Sequence, residues 1–303
     1  MTRTLPETKP LQAAACMIGA MALLGFVDNY VSTIATEVSV WQFLSTRAVM
    51  AVALIAALSL TGLGTIWPRR WWAVGVRSLL IAVGMLLYFG SLAFMPIAQS
   101  LAGLFTAPIF VLLMTVAVLK QKIGPWRVLA VVIGFSGILL VLGVQEGATG
   151  WIMLMPVAGG FFYAMGSLVT RILCADESTL AMLAGIMTMQ GVIGVCVLTG
   201  LWVIAPVVPE GAAGFLVRGW VWPIPSIFPL IVLQALVSVA GVFLLIRAYQ
   251  WGDASQVSVL EYSIMIFGPF FAWVLMGQAI TPLMLGGIGL IIVAGCIIAL
   301  RSK

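Results

Sequence analysis

The chain has 303 residues, of which 63% are hydrophobic and only 8% charged, with a formal net charge of +5. Ordinary soluble domains carry about 25% charged residues, and so few charges cannot cover the surface of a protein this size in water. The apolar residues also fall in blocks of the roughly 20 residues that cross a bilayer, which leaves one polytopic membrane unit rather than two soluble domains.

The first apolar run begins at Leu11, after Arg3 and Lys9, and could mimic a signal peptide. No small-residue cleavage site closes it, so an uncleaved first helix is expected. Ala13-Ala14-Ala15-Cys16 is a weak lipoprotein-site lookalike, but no apolar run precedes it. Ten apolar segments are expected in all, near 11–31, 40–61, 72–94, 97–119, 128–144, 151–172, 179–205, 228–249, 254–276 and 282–300. Proline, glycine and charge mark the breaks, as in Pro68-Arg69-Arg70, Gly124-Pro125-Trp126-Arg127, Gly252-Asp253 and Thr281-Pro282. One longer connection, 207–226, holds Glu210, Arg218, Trp220 and Trp222 and reads as an interfacial loop with an aromatic belt.

Basic residues set the expected orientation. With an N-terminus inside, one side receives Arg3, Lys9, Arg69, Arg70, Lys120, Lys122, Arg127, Arg171, Arg301 and Lys303, and the other only Arg218. Both termini are therefore expected in the cytoplasm, with the protein in the cell inner membrane. Short basic clusters between apolar blocks are loop anchors, not a phosphate-binding face, so no nucleic acid is expected as a partner. Cys16, Cys174, Cys196 and Cys296 lie singly and read as small core residues, without disulfide or metal spacing.

Sliding the chain by 157 residues sets Gly84 against Gly241, Gln99 against Gln256, Ile109-Phe110 against Ile266-Phe267, Gln121 against Gln278 and Pro125 against Pro282. A five-helix repeat is odd-numbered, so its second copy enters the membrane upside down, the inverted-repeat plan of many secondary transporters. The halves are expected at 1–145 and 146–303.

These residues resemble the EamA family of the drug/metabolite transporter superfamily. Leu24-Gly25 stands where that family usually shows Trp-Gly, and Arg47 matches an arginine common in its second helix. Leu119-Lys120-Gln121-Lys122-Ile123-Gly124-Pro125 is similar to its Gly-Glu-x-x-x-Pro signature, with Gln121 in place of glutamate. In the second half, Phe161-Phe162-Tyr163-Ala164 with Thr170-Arg171, and Glu261-Tyr262 with Met276-Gly277-Gln278 and Pro282, resemble its sixth, ninth and tenth helices, with Gln278 again replacing glutamate. The resemblance implies ten helices in two inverted repeats and a central cavity lined mainly by helices 1, 3, 4, 6, 8 and 9. It also implies export or exchange of amino acids or other small metabolites.

Ionisable groups inside apolar segments are the sharpest chemical signal, because each costs about 2.5–3.5 kcal/mol at the bilayer centre on insertion scales. Asp28, late in helix 1, and Arg47, early in helix 2, sit at comparable depth, so a structural ion pair competes with a gating or substrate role. Glu261 lies seven residues into helix 9, about 10 Å deep at 1.5 Å per residue. Arg247 is its expected partner or else a snorkelling anchor. A partly buried carboxylate can take up and release a proton, which makes Glu261 the best coupling residue.

Gln99 and Thr106, and Gln256 and Ser263, are each two turns apart and share a face that glues helices or lines a cavity. Asn29 beside Asp28 joins the candidate substrate contacts. Tyr88, Phe105, Phe162, Tyr163 and Tyr262 offer flat apolar walls with hydroxyl handles, with plain packing as the alternative. Gly134, Gly137, Gly286 and Gly289 permit close helix approach within the core or in a homodimer. The absence of histidine removes Ser-His catalysis and His relays, and no phosphate-cradling Gly-x-x-x-x-Gly-Lys is present, so an enzyme is not expected. No cofactor and no metal are expected either. The reading is an all-α secondary transporter working by alternating access on a small-molecule substrate. Export of aromatic or hydrophobic amino acids leads, uptake or exchange of a nucleoside-like metabolite comes second, and a channel or scaffold is the reading from another class.

Overall fold

The computed structural model describes residues 9–91, 100, 103–118, 120, 123–142, 154–210, 214–277 and 281–301, and every regular element among them is helical. The expected 145/146 boundary and Gln99, Gln121 and Gln278 lie outside the described residues. The helices are α1 Pro10–Glu37, α2 Val40–Leu60, α3 Trp71–Ser91, α4 Ala107–Ala117, α5 Pro125–Leu142, α6 Leu154–Ile172, α7 Thr179–Ile204, α8 Phe228–Trp251, α9 Ala254–Met276 and α10 Pro282–Arg301. Six helical stretches are long and apolar enough to cross a membrane, and α4, α5 and α10 contribute shorter apolar ones. The chain is a multi-pass membrane protein.

Proline opens five of these helices, within the first two positions of α1, α4 and α8 and as the first residue of α5 and α10. Its missing N–H costs nothing there, because first-turn amides have no partner within the helix. Ser39 caps α2 by accepting from the Gln42 amide at 3.2 Å. Both α1 and α9 are interrupted by a single 3₁₀ turn, Asp28–Tyr30 and Glu261–Ser263, so each carries its acid at a break.

The inverted repeat is visible in the packing. Helix α3 packs on α6 as α8 packs on α1, while α2 packs on α7 and α5 on α10. The 157-residue shift also matches local detail. Thr106 donates to the Gly103 carbonyl at 2.7 Å, and Ser263, its counterpart, donates to the Leu260 carbonyl at 2.7 Å. Where α3 crosses α6, a Cβ on Gly84 would lie 2.8 Å from the Gly159 carbonyl oxygen, so the two backbones touch directly.

The helix ends are tied differently. At the end carrying both termini, Arg127 pairs with Asp253 at 3.0 Å and Glu177 accepts from the Arg69 and Arg70 amides at 2.8 and 2.9 Å. Gln250, on α8, donates to the Glu177 carbonyl at 2.8 Å, clamping the α6–α7 turn. At the opposite end the long connection does more than line an interface. Trp220 and Trp222 are exposed, but Phe215, Ile224 and Ile227 bury themselves among Val31, Ile34, Tyr88 and Phe89. The Gln42 amide pairs with the Val221 backbone in both directions, at 2.7 and 2.9 Å, and Trp41 donates to the Leu216 carbonyl at 2.6 Å. Gln42→Leu orphans both Val221 groups, at about 1–3 kcal/mol each when buried. It is expected to lower the thermal midpoint and to open residues 214–227 to limited proteolysis, while leaving the opposite end uncut.

Candidate functional site

A central cavity of about 120 Å³ lies among eight helices. The six expected regions contribute, α1, α3, α6, α8, α9 and Leu104 and Phe105 just before α4; α2 joins through Arg47 and α7 through Ile186, Met187 and Gln190. Its walls are lined by the rings of Tyr88, Phe89, Phe105 and Tyr163 and by Met21, Met85 and Met187. Thioethers adapt to irregular shapes and favour aromatic partners, and phenyl and phenol rings stack or meet edge to face. Two polar poles interrupt these walls, one towards each membrane face.

The pole away from the termini is a chain of four side chains. Gln234, on α8, donates to Asp28 Oδ1 at 3.3 Å and accepts from Arg47 Nη1 at 3.4 Å. Arg47 Nη2 donates to Gln190 Oε1 at 2.6 Å, and its guanidinium lies 5.1 Å from the Phe43 ring centroid. The direct Asp28–Arg47 ion pair is corrected here: no contact within 4.0 Å joins them, because the Gln234 amide stands between the two charges and satisfies both. Arg47 Nε is buried without a hydrogen-bond partner, so the cluster is not closed. A buried donor left free is costly and is available to a ligand.

The second pole centres on Glu261, only 2% exposed. Tyr249 donates to its Oε1 at 2.6 Å and Tyr163 to the same oxygen at 3.3 Å. The break in α9 turns this carboxyl toward α6 and α8, where those phenols wait. Arg247 is not its partner, a second correction. Its guanidinium is sandwiched by Phe243 and Trp251, 5.6 and 5.0 Å from the ring centroids. Those rings sit four residues to either side on α8, where helix geometry stacks them on the cation.

Arg77, absent from the sequence-based candidates, belongs to this same pole and lines the cavity. Its Nε is bonded to the Thr170 hydroxyl and its Nη1 donates to the Met182 carbonyl at 3.3 Å. The signal was present, since an arginine stands seventh in the apolar run Trp71–Ser91, too far in to be dismissed as an end anchor. Gln190 and Gln234 were equally visible as amides within apolar helices. Gln234 is moreover the repeat counterpart of Arg77, 157 residues on.

Other expected residues lie elsewhere. Tyr88, Phe105 and Tyr163 do line the cavity, but Phe162 and Tyr262 do not. Phe162 packs edge-on to Phe161 with centroids 5.7 Å apart. Tyr262 is fully buried, its ring pressed against the Gly134 backbone. Asn29 donates to the Gly25 carbonyl at 2.7 Å and the Gly268 carbonyl at 3.4 Å, stitching the break in α1 to α9. Gln256 and Ser263 share a face as expected, but it lines a separate groove between α1, α9 and α10 rather than the central cavity.

The chain matches the EamA-like transporter family over residues 11–143. It is 24% identical over 239 residues to a riboflavin transporter of Rhizobium johnstonii, covering 79% of this chain and 72% of that one. A riboflavin transporter of Vibrio cholerae is 30% identical over 181 residues, 56% of this chain and 58% of the relative. An S-adenosylmethionine uptake transporter of Rickettsia bellii is 22% identical over 255 residues, 84% and 81% of the two chains. One solved protein structure superposes with a TM-score of 0.77 at 19% identity, covering 97% of this chain and 98% of that one, which shows the shared fold.

Proposed function

We propose that this chain, which belongs to the EamA-like transporter family of the drug/metabolite transporter superfamily, is an uptake carrier for a planar heteroaromatic metabolite of the riboflavin kind. It is a secondary transporter of small metabolites and not an enzyme. The observation that carries the finer reading is the cavity wall, where aromatic rings and three methionines lie between two hydrogen-bonding poles. A flat fused ring stacks on such walls while its polar edges reach the amides and guanidinia at either end. Support for riboflavin over the aromatic amino acids expected from the sequence comes from the relatives, whose names specify riboflavin and S-adenosylmethionine.

At about 120 Å³ the cavity has room for a handful of waters, not for a tricyclic ring with a sugar-alcohol chain. Cargo enters when the two halves rock apart at one end, as alternating access requires. The charge bias of the loops supports an inner-membrane carrier with both termini in the cytoplasm. Glu261 is the proton-carrying group, held by two phenols where cargo and solvent alternately reach it.

Flavin fluorescence provides the test. Riboflavin titrated against detergent-purified protein is expected to be quenched saturably. Tyr88→Ala and Phe105→Ala should each weaken binding about tenfold, the scale of one lost aromatic contact near 1.4 kcal/mol. Binding of aromatic amino acids but not of flavin would return the reading to amino-acid export.

A further inference from the structure

We propose that Arg77 is the docking point for an acidic group, a carboxylate or a phosphate, on the transported molecule. The inference rests on the reading of the central cavity as the binding site for a heteroaromatic cargo, and it narrows which members of that class the carrier prefers.

Arg77 is fully buried and lines the cavity. A guanidinium taken out of water costs several kcal/mol unless an opposite charge and good hydrogen bonds repay it. Three other arginines of the chain are repaid by acids. Arg127 has Asp253 at 3.0 Å, Arg70 has Glu177 at 3.6 Å, and Arg47 has Asp28 one amide away. Among the described residues no carboxylate lies within 4.0 Å of Arg77. Glu261 lines the same cavity, but its described hydrogen bonds go to Tyr249 and Tyr163.

Geometry adds a second strand. The Thr170 hydroxyl that receives Arg77 Nε itself donates to the Gly166 carbonyl at 2.9 Å, so it is oriented as an acceptor. With Nε and Nη1 both held by neutral oxygens, the guanidinium is fixed in plane. A planar fork held rigid in an apolar chamber is the arrangement that favours carboxylate or phosphate.

The repeat sharpens the contrast. Gln234, the counterpart of Arg77, crosses to an acid, Asp28 on α1. Arg77 crosses to a hydroxyl, Thr170 on α6. Gln234 therefore reaches an acid in the other half, whereas Arg77 reaches a neutral hydroxyl there, and the cargo supplies the negative group.

The test uses the full-length purified protein and two matched pairs, riboflavin with riboflavin 5′-phosphate and indole-3-acetamide with indole-3-acetate. The anionic member of at least one pair is expected to bind about tenfold more tightly than the neutral one. The responding pair tells phosphate from carboxylate. Arg77→Gln should erase that preference, Arg77→Lys should keep part of it, and Arg127→Gln, outside the cavity, should keep it whole. Equal binding of neutral and anionic partners by the wild type would overturn the inference while leaving the heteroaromatic reading intact. So would a preference that survives in Arg77→Gln. Failure of all four compounds to bind would overturn both. If Arg77→Gln does not fold, the wild-type pairs and Arg77→Lys still decide.

Discussion

Glu261→Gln carriers reconstituted in liposomes are expected to exchange labelled cargo at near wild-type rates yet fail to accumulate it when the outside is made more acidic. The amide is isosteric with the carboxyl, and its oxygen can still accept from Tyr249 and Tyr163, whose hydroxyls both meet Oε1. Packing around this residue, 2% exposed between α6, α8 and α9, is therefore preserved. What is lost is the exchangeable proton. One pH unit across the membrane is worth about 1.36 kcal/mol, so a carrier moving one proton per cargo molecule concentrates it about tenfold. The wild type is expected to show that slope, rising as outside pH falls, and Glu261→Gln a ratio near one at every pH. A variant that retains the wild-type slope would remove Glu261 from the coupling role. A variant that loses exchange as well would make it a binding residue instead.

Gly84→Val is expected to destroy the fold, whereas Gly241→Ala, at the matching position of the second half, is expected to be mild. A Cβ on Gly84 meets backbone, 2.8 Å from the Gly159 oxygen and 2.9 Å from the Tyr163 nitrogen. Backbone cannot step aside, so α6 would have to move away from α3 as a whole. That displacement carries off Tyr163 and Thr170, the partners of Glu261 and Arg77. The same Cβ on Gly241 meets the end of the Leu24 side chain at 3.0 Å, which can change rotamer. Overpacking of a rigid contact costs roughly 3 kcal/mol or more, against less than about 1.5 for a yielding one. Size-exclusion profiles and thermal midpoints of the two variants check this, and a monodisperse Gly84→Val as stable as Gly241→Ala would contradict it.

Much of the architecture could be read before the structure, and the reasons are local. Charge-poor blocks, helix-opening prolines such as Pro125 and Pro282 and the 157-residue register each leave a mark that survives sparse identity. The Thr106 and Ser263 hydroxyls, closing equivalent turns in the two halves, show how literal that register is. The site was less legible. Seven-residue spacing says that Gln256 and Ser263 share a face, not which neighbour that face meets, and they meet α1 and α10. Phe161 and Phe162 are adjacent in sequence, and helix rotation alone keeps them out of the cavity that Tyr163 enters. Arg247 looked like a counter-ion because its aromatic neighbours, Phe243 and Trp251, read equally well as ordinary membrane residues. The pole away from the termini depends on amides, Gln190 and Gln234, whose role exists only once helices from both halves bring them to Arg47 and Asp28.

The central claim is that this cavity carries a heteroaromatic cargo across the membrane by alternating access, and counter-flow measures it most directly. Liposomes holding the purified protein are loaded with unlabelled riboflavin and diluted into a trace of labelled riboflavin with no ion gradient. The account predicts a transient, saturable overshoot of label inside, with half-saturation at about tenfold higher riboflavin in Tyr88→Ala and Phe105→Ala. Label that enters without overshoot and in linear proportion to concentration would mean a channel, and label that never enters would mean that riboflavin is not the cargo of this cavity.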